Sequence, residues 1–267
     1  MNAARHRQRE SLPIRFGDVI QPAAAVIFDK DGVLFDQFTL LAQLHTLRRM
    51  GVGVRYGEAV AQAYDQCDGA GVGASGIDVQ GPLAMAVAEH ETIVLAALLY
   101  RELRMPWLEC LAEARAIFAE ADQALDLTQI PPLPGFPEVL LHLKRAGVVV
   151  GIVTGDQRTR SLRQLAPFAL DAVLDFLAAG DDGPYHKPDA QLLHFWLDQI
   201  AVPPAEAVVL GDSANDWIMA QRAGVHAVAV RPMTHPPASV LTTIDAIARI
   251  SLALPDSPGS GPRRPDG

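Results

Sequence analysis

The chain has 267 residues, 49% of them hydrophobic and 20% charged, which excludes a wholly disordered chain and suits one large domain or two modest ones. A formal net charge of −9 argues against nucleic acid as a partner, because binding a polyphosphate needs a basic surface. Apolar runs such as 93–100 and 148–153 fall far short of the ~18 residues that cross a bilayer, so no membrane role is expected.

Arg5, Arg7 and Arg9 lead straight to Pro13 and Asp18. This is not the charged-then-apolar order of a secretion signal, and the expected compartment is the cytoplasm. Residues 1–11 are polar and are expected to fray. Residues 23–28 read as a buried strand. From about 37 to 131 no convincing strand follows; that stretch reads as helices over 38–50, 57–67, 82–103 and 107–123. A segment over 69–81 with five glycines separates the second helix from the third. It suits either a plain connector or a loop whose bare backbone approaches a ligand. From 137 onward helices over 137–146, 157–166, 189–200 and 214–223 alternate with strands over 148–153, 172–178, 207–210 and 227–230. Gly147 and Gly224 stand where left-handed caps would end two of these helices. Residues 255–267, with four prolines and three glycines, read as a disordered tail. The fold class expected is α/β, a parallel sheet with helices on both faces and an all-helical insert after the first strand. The domains expected are a core of 1–36 and 132–254, and a helical second domain of 37–131.

Two cysteines, Cys67 and Cys110, cannot build a disulfide scaffold or a four-cysteine zinc site, and both read as packed thiols. Only three of the 22 basic residues are lysines, Lys30, Lys144 and Lys187. Where arginine serves as generic surface charge, a lysine marks a place that wants a compact ammonium.

Four clusters belong together, three of them at strand ends, where open α/β sheets bind ligands. Asp29 and Asp31 leave the first strand two residues apart, followed by Gly32, which lets the backbone turn. Thr154 and Gly155 close a later strand and offer a hydroxyl and N–H groups to an anion, although the threonine also suits a helix cap. Lys187 precedes Pro188, placed in the first turn of a helix. Asp212 and Asp216, four apart, close one strand and open the next helix, where both can reach one point.

In this order the clusters resemble the four motifs of the haloacid dehalogenase-like hydrolase superfamily: D-x-D-G at Asp29 to Gly32, the hydroxyl of Thr154, Lys187 before proline, and G-D-x-x-x-D from Gly211 to Asp216. The resemblance runs from about 23 to 232 and implies a Rossmann-like core with a C1-type cap over 37–131. Its general look is closest to phosphoglycolate phosphatase-like members. It implies a phosphatase acting on a small phosphorylated metabolite, as a monomer or homodimer. Asp29 would be the nucleophile that takes the phosphoryl group, and Asp31 the acid and then the base. Crowded carboxylates beside a dianionic substrate call for a hard cation, Mg2+. Its ligands would be the Asp29 carboxylate, the Asp31 backbone carbonyl and Asp212, with Asp216 assisting. Thr154, Gly155 and Lys187 would hold the transferring oxygens. The hinges of the cap are placed at 36–38 and 131–134. Two positions depart from the pattern: Lys30, where the family is often hydrophobic, and Val33, where threonine is commonest. A sugar phosphomutase uses the same two aspartates and stays open. Receiver-like and degenerate binding proteins are rivals from other classes, opposed by the large insert and by the presence of every motif group.

Overall fold

The computed structural model describes residues 10–71 and 76–253; of the start expected to fray over 1–11, residues 1–9 lie outside the described residues, as does the tail over 255–267, while the Ser11 hydroxyl donates to Glu206 Oε2 at 2.8 Å. The chain opens with a hairpin that sequence reasoning did not assign. Strands β1 (Leu12–Phe16) and β2 (Val19–Ala23) pair antiparallel, with Pro13 opposite Pro22. Those two prolines, each lacking an N–H, argue against strands and hid the hairpin. The period-2 pattern is nonetheless present, since Ile14 and Phe16 are buried while Pro13 and Arg15 between and beside them are exposed. The expected strand over 23–28 is therefore two elements meeting at Ala24, and only β3 (Ala25–Phe28) enters the main sheet.

Five helices follow: α1 (Gln37–Tyr56), α2 (Glu58–Asp68), α3 (Pro82–Met85), α4 (Ala88–Leu103) and α5 (Trp107–Ala124). The Asp36 carboxylate caps α1, accepting from the Thr39 backbone N–H at 3.2 Å and its hydroxyl at 2.6 Å. This helix runs six residues beyond the expected stop at Met50, through Gly51 and Gly53. Packing overrides propensity here: a Cβ on Gly51 would lie 3.1 Å from Ile117 Cγ2 of α5, so glycine permits the close crossing. The helix expected over 82–103 is broken at Ala86 and Val87, both extended. These helices enclose a core of their own that includes Tyr64, Leu95, Leu99, Cys110 and Ile117. Cys110 is buried and Cys67 half-buried, and both are free thiols.

The chain then alternates through α6 (Glu138–Arg145), β4 (Val149–Val153), α7 (Arg158–Leu165), β5 (Phe176–Ala178), α8 (Ala190–Ile200), β6 (Ala207–Gly211), α9 (Ala214–Ala223), β7 (His226–Val230) and the short β8 (Thr243–Ile244). The six strands order as β5-β4-β3-β6-β7-β8, all parallel. Strand β9 (Ile250–Leu252) returns to β1 in a separate antiparallel sheet ordered β2-β1-β9. The expected strand over 172–178 is reduced to its last three residues. Gly147 and Gly224 take the expected left-handed conformation, at φ of 91° and 70°. The helix after Lys187 starts at Ala190 with Asp189 as its cap, so Pro188 precedes the first turn instead of lying in it.

Successive strand residues serve opposite faces. Val26, Phe28, Val150, Ile152 and Leu210 pack with Leu140 and Leu143 of α6, while Ala25, Ile27, Val149 and Val209 pack with Leu193 of α8 and Trp217 of α9. Burial on both faces explains why these strands read as continuous apolar runs. Strand β3 sits between β4 and β6; its connection leads towards β4, that of β6 towards β7, and a crevice opens at their carboxyl ends. The two chain passages joining the sheet to the helical layer run side by side, tied by Asp36 N–H to Pro131 O (3.0 Å) and Leu133 N–H to Leu34 O (2.8 Å). Among the described residues, no helix is long and apolar enough to cross a membrane.

Candidate active site

The backbone N–H of Asp29 still follows the sheet, donating to Leu210 O at 2.8 Å, so its side chain leaves the central strand at a fixed point of the crevice. Gly32 then turns the chain at φ 85°, and a Cβ there would run into the Asp212 carboxylate. Asp212 follows β6, and its Oδ2 accepts from the Gln37 side chain at the start of α1. Asp216 sits in the first turn of α9, where its Oδ2 accepts from the Ser213 N–H at 3.2 Å and hydroxyl at 2.6 Å in a reciprocal capping box. A carboxylate oxygen from each of Asp29, Asp212 and Asp216 lies within 4.8 Å of the others, and all three residues are buried. Lys187 Nζ lies 2.7 Å from Asp29 Oδ1 and 2.6 Å from Asp216 Oδ1. Four of the seven sequence-derived site residues, Asp29, Lys187, Asp212 and Asp216, thus converge at one point, and Asp31, Thr154 and Gly155 line the same cleft.

Charge crowding sets the electrostatics. Burial, with the Asp216 and Asp31 carboxylates adding to it, pushes the Asp29 carboxyl up to about 7 against the opposing pull of Lys187. Burial and repulsion from Asp29 and Asp216 raise Asp212 well above the carboxylate range. The Lys187 ammonium is raised although burial opposes it, because Asp216 and Asp29 face it.

Asp31 is placed differently from its partners. Its Oδ1 accepts from Lys30 Nζ at 2.7 Å. Lys30 is fully buried and also reaches Asp156 Oδ2 at 2.9 Å and Gln164 Oε1 at 2.6 Å. Asp156 in turn takes Arg160 Nε at 2.6 Å, and Arg160 Nη1 reaches Asp122 Oδ1 of α5 at 2.6 Å. A line of alternating charges therefore runs from Asp31 to the helical layer. Lys30 and Arg160 hold Asp156 below its ordinary range against burial, while Asp31 is raised by burial despite Lys30. Sequence reasoning left Lys30 without a role and passed over Asp156, Arg160 and Gln37; the scarcity of lysine was the one available signal.

Thr154 is buried and borders the cleft with Gly155. Its hydroxyl accepts the Asp156 N–H at 3.1 Å in a turn ahead of α7; the helix cap weighed against anion binding does not form, because the N-cap of α7 is Gln157. Facing these groups across a cleft of about 150 Å³ are α1, through Leu40 and Leu44, and α3, through Leu83 and Met85. The described residues of the glycine-rich segment do not take that position. Residues 72–75 lie outside the described residues; Gly69, Gly71 and Gly76 have positive φ and form a turn closed by Gly71 N–H to Gly76 O at 2.8 Å. None of its described residues lines the cleft, which is reached instead by the next segment, 83–87.

Comparison with known proteins identifies the family and the fold. A model of the family described as haloacid dehalogenase-like hydrolase matches residues 23–224. A protein of Caldanaerobacter subterraneus subsp. tengcongensis, named provisionally as pyrophosphatase PpaX, is 37% identical over 94 residues, 35% of this chain and 43% of its own. Phosphoglycolate phosphatase 1 of Pseudomonas aeruginosa is 32% identical over 118 residues, 44% of this chain and 43% of its own. These matches span less than half the length of either relative. The crystal structure of a predicted phosphoglycolate phosphatase from Haemophilus somnus superposes with a TM-score of 0.64 at 18% identity, covering 85% of this chain and 95% of that one. At that identity the likeness is one of fold.

Proposed function

The chain belongs to the haloacid dehalogenase-like hydrolase family, and from that footing we propose that it hydrolyses a small phosphate monoester through an aspartyl phosphate formed on Asp29. The observation that carries the reading is the Asp29 carboxylate itself: buried at the end of the central strand, paired with Lys187, and within 4.8 Å of two further carboxylates. The residues fit a hard divalent cation. The side-chain donors are all carboxylate oxygens, and burial together with their mutual repulsion raises Asp29 and Asp212, a cost that a cation relieves. Mg2+ would be held by the Asp29 carboxylate, the Asp31 backbone carbonyl and Asp212, with Asp216 assisting. When bound, it offsets phosphoryl charge and draws the phosphate towards the nucleophile.

In the first half-reaction an Asp29 oxygen bonds to phosphorus while the bond from phosphorus to the ester oxygen breaks, and Asp31 gives the departing alkoxide a proton. In the second, a water attacks phosphorus, gives its proton to Asp31, and inorganic phosphate leaves Asp29. Lys187 and the backbone around Thr154 and Gly155 balance the transferring oxygens. Residues 37–131 act as a cap, hinged where the two side-by-side passages cross, that excludes stray water in the first step and admits it in the second. The test is release of inorganic phosphate from a panel of small esters with Mg2+. Asp29→Asn should abolish it, because an amide is a very poor nucleophile. Isomerised ester with no free phosphate would instead identify a phosphomutase.

A further inference from the structure

We propose that the cleft selects phosphate monoesters whose alcohol is uncharged and presents an apolar face, and discriminates against those whose alcohol carries a carboxylate. The inference rests on the phosphatase reading and concerns the end of the cleft away from the aspartates. That wall is aliphatic: Leu40, Leu41 and Leu44 from α1, and Leu83, Met85 and Val87 from α3 and the break that follows it. Leu40, Leu44 and Leu83 are each 3% exposed, so this wall is already packed in place.

The cations lining the cleft, among the described residues, are Lys187 and Arg160, and both are already engaged. Lys187 is engaged by Asp29 and Asp216, the groups that hold the phosphoryl end. Arg160 is engaged by Asp156 at 2.5 Å and by Asp122 at 2.6 Å. The one charged group on the helical wall is an acid, Glu91, which takes both terminal nitrogens of the buried Arg48 at 2.7 and 3.3 Å. A second anion on the substrate would therefore leave water for a wall of leucines, facing Glu91 and finding no unengaged cation. Desolvating a carboxylate without a partner is among the costliest events in a protein interior. An alkyl group in the same place gains from burial. Phosphoglycolate carries such a carboxylate one methylene from its ester oxygen, so the activity in a relative's name is not the one this cleft favours.

Two esters of nearly the same shape make the test: isobutyl phosphate and 2-phosphoglycolate, compared by phosphate release from the full chain with Mg2+. The expected kcat/KM is at least tenfold higher for isobutyl phosphate, although glycolate is the better leaving group. In Met85→Arg, which adds a free cation to a half-buried wall position, the ratio should move at least tenfold towards phosphoglycolate; Leu41→Lys makes the same test from α1 if Met85→Arg does not fold. Release from both esters at equal rates, a preference for phosphoglycolate, or a ratio that neither variant moves overturns the inference and leaves the phosphatase reading standing. Release from neither ester, nor from any other in the panel, overturns both.

Discussion

Lys30 shows how one residue type, read in its surroundings, changes an account of a site. Its ammonium is fully buried among Asp31, Asp156 and Gln164, and those partners raise its pKa although burial opposes it. Lys30→Met would leave the Asp31 carboxylate without its cation in the interior and Asp156 with Arg160 alone. The expected cost is about 3–5 kcal/mol, typical of breaking a buried pair from one side, read as a lower midpoint in urea unfolding; a midpoint within error of wild type would contradict the network. Lys187 makes a second case. Lys187→Arg keeps the charge, but a planar guanidinium cannot sit as a point between Asp29 and Asp216 at under 3 Å from each. A loss on the order of 10²-fold in kcat is expected, as for removal of one preorganised contact. Retention of most activity would mean that Lys187 does not touch the phosphoryl group. The aspartates and Thr154 were legible because each sits within a few positions of a strand end, and Lys187, well beyond β5, from its place before a proline and a helix. The partners of Lys30 were not, since Gln164 lies 134 residues away and a pairing of that range leaves no local signature.

At the scale of elements, hydrophobic runs and glycine stops revealed the main sheet and its flanking helices. What escaped was set by tertiary placement. Pro13 and Pro22 hid the β1–β2 hairpin by facing each other across it. The break at Ala86 and Val87 has no marker in the propensities of those residues, yet it carries α3 to the cleft, and attention fell on the glycines just before it. Gly32 is the turn on which the site depends. Its φ of 85° and the nearness of Asp212 mean that Gly32→Ala must displace the Asp212 carboxylate. Loss of turnover is expected together with loss of Mg2+-induced thermal stabilisation, while the far-ultraviolet circular dichroism stays that of wild type. A variant still stabilised by Mg2+ would show that the loop relaxes without disturbing the acidic trio.

For the whole molecule, metal, pH and stability are linked through the same carboxylates. The folded Asp29 titrates near 7 instead of its ordinary value of about 4, and Asp212 is raised in the same direction. Between about pH 4 and 7 the folded protein therefore holds protons that the unfolded chain has released, and metal-free stability declines as pH rises through that window. Mg2+ needs those groups deprotonated, so the gain in Tm from a fixed Mg2+ concentration should grow over the same interval and be larger at pH 8 than at pH 5. A gain that is flat, or larger at pH 5, would contradict the assignment of these groups to a cation. The central claim is that phosphoryl transfer passes through Asp29, and trapping the phosphoenzyme tests it most directly. Protein turning over a phosphate ester is quenched in acid, digested and mapped by mass spectrometry. The account predicts one added phosphoryl group on the peptide containing Asp29, enriched in Asp31→Asn, where breakdown lacks its base, and absent in Asp29→Asn. A phosphoryl group on another residue, or wild-type turnover by Asp29→Asn, would contradict it.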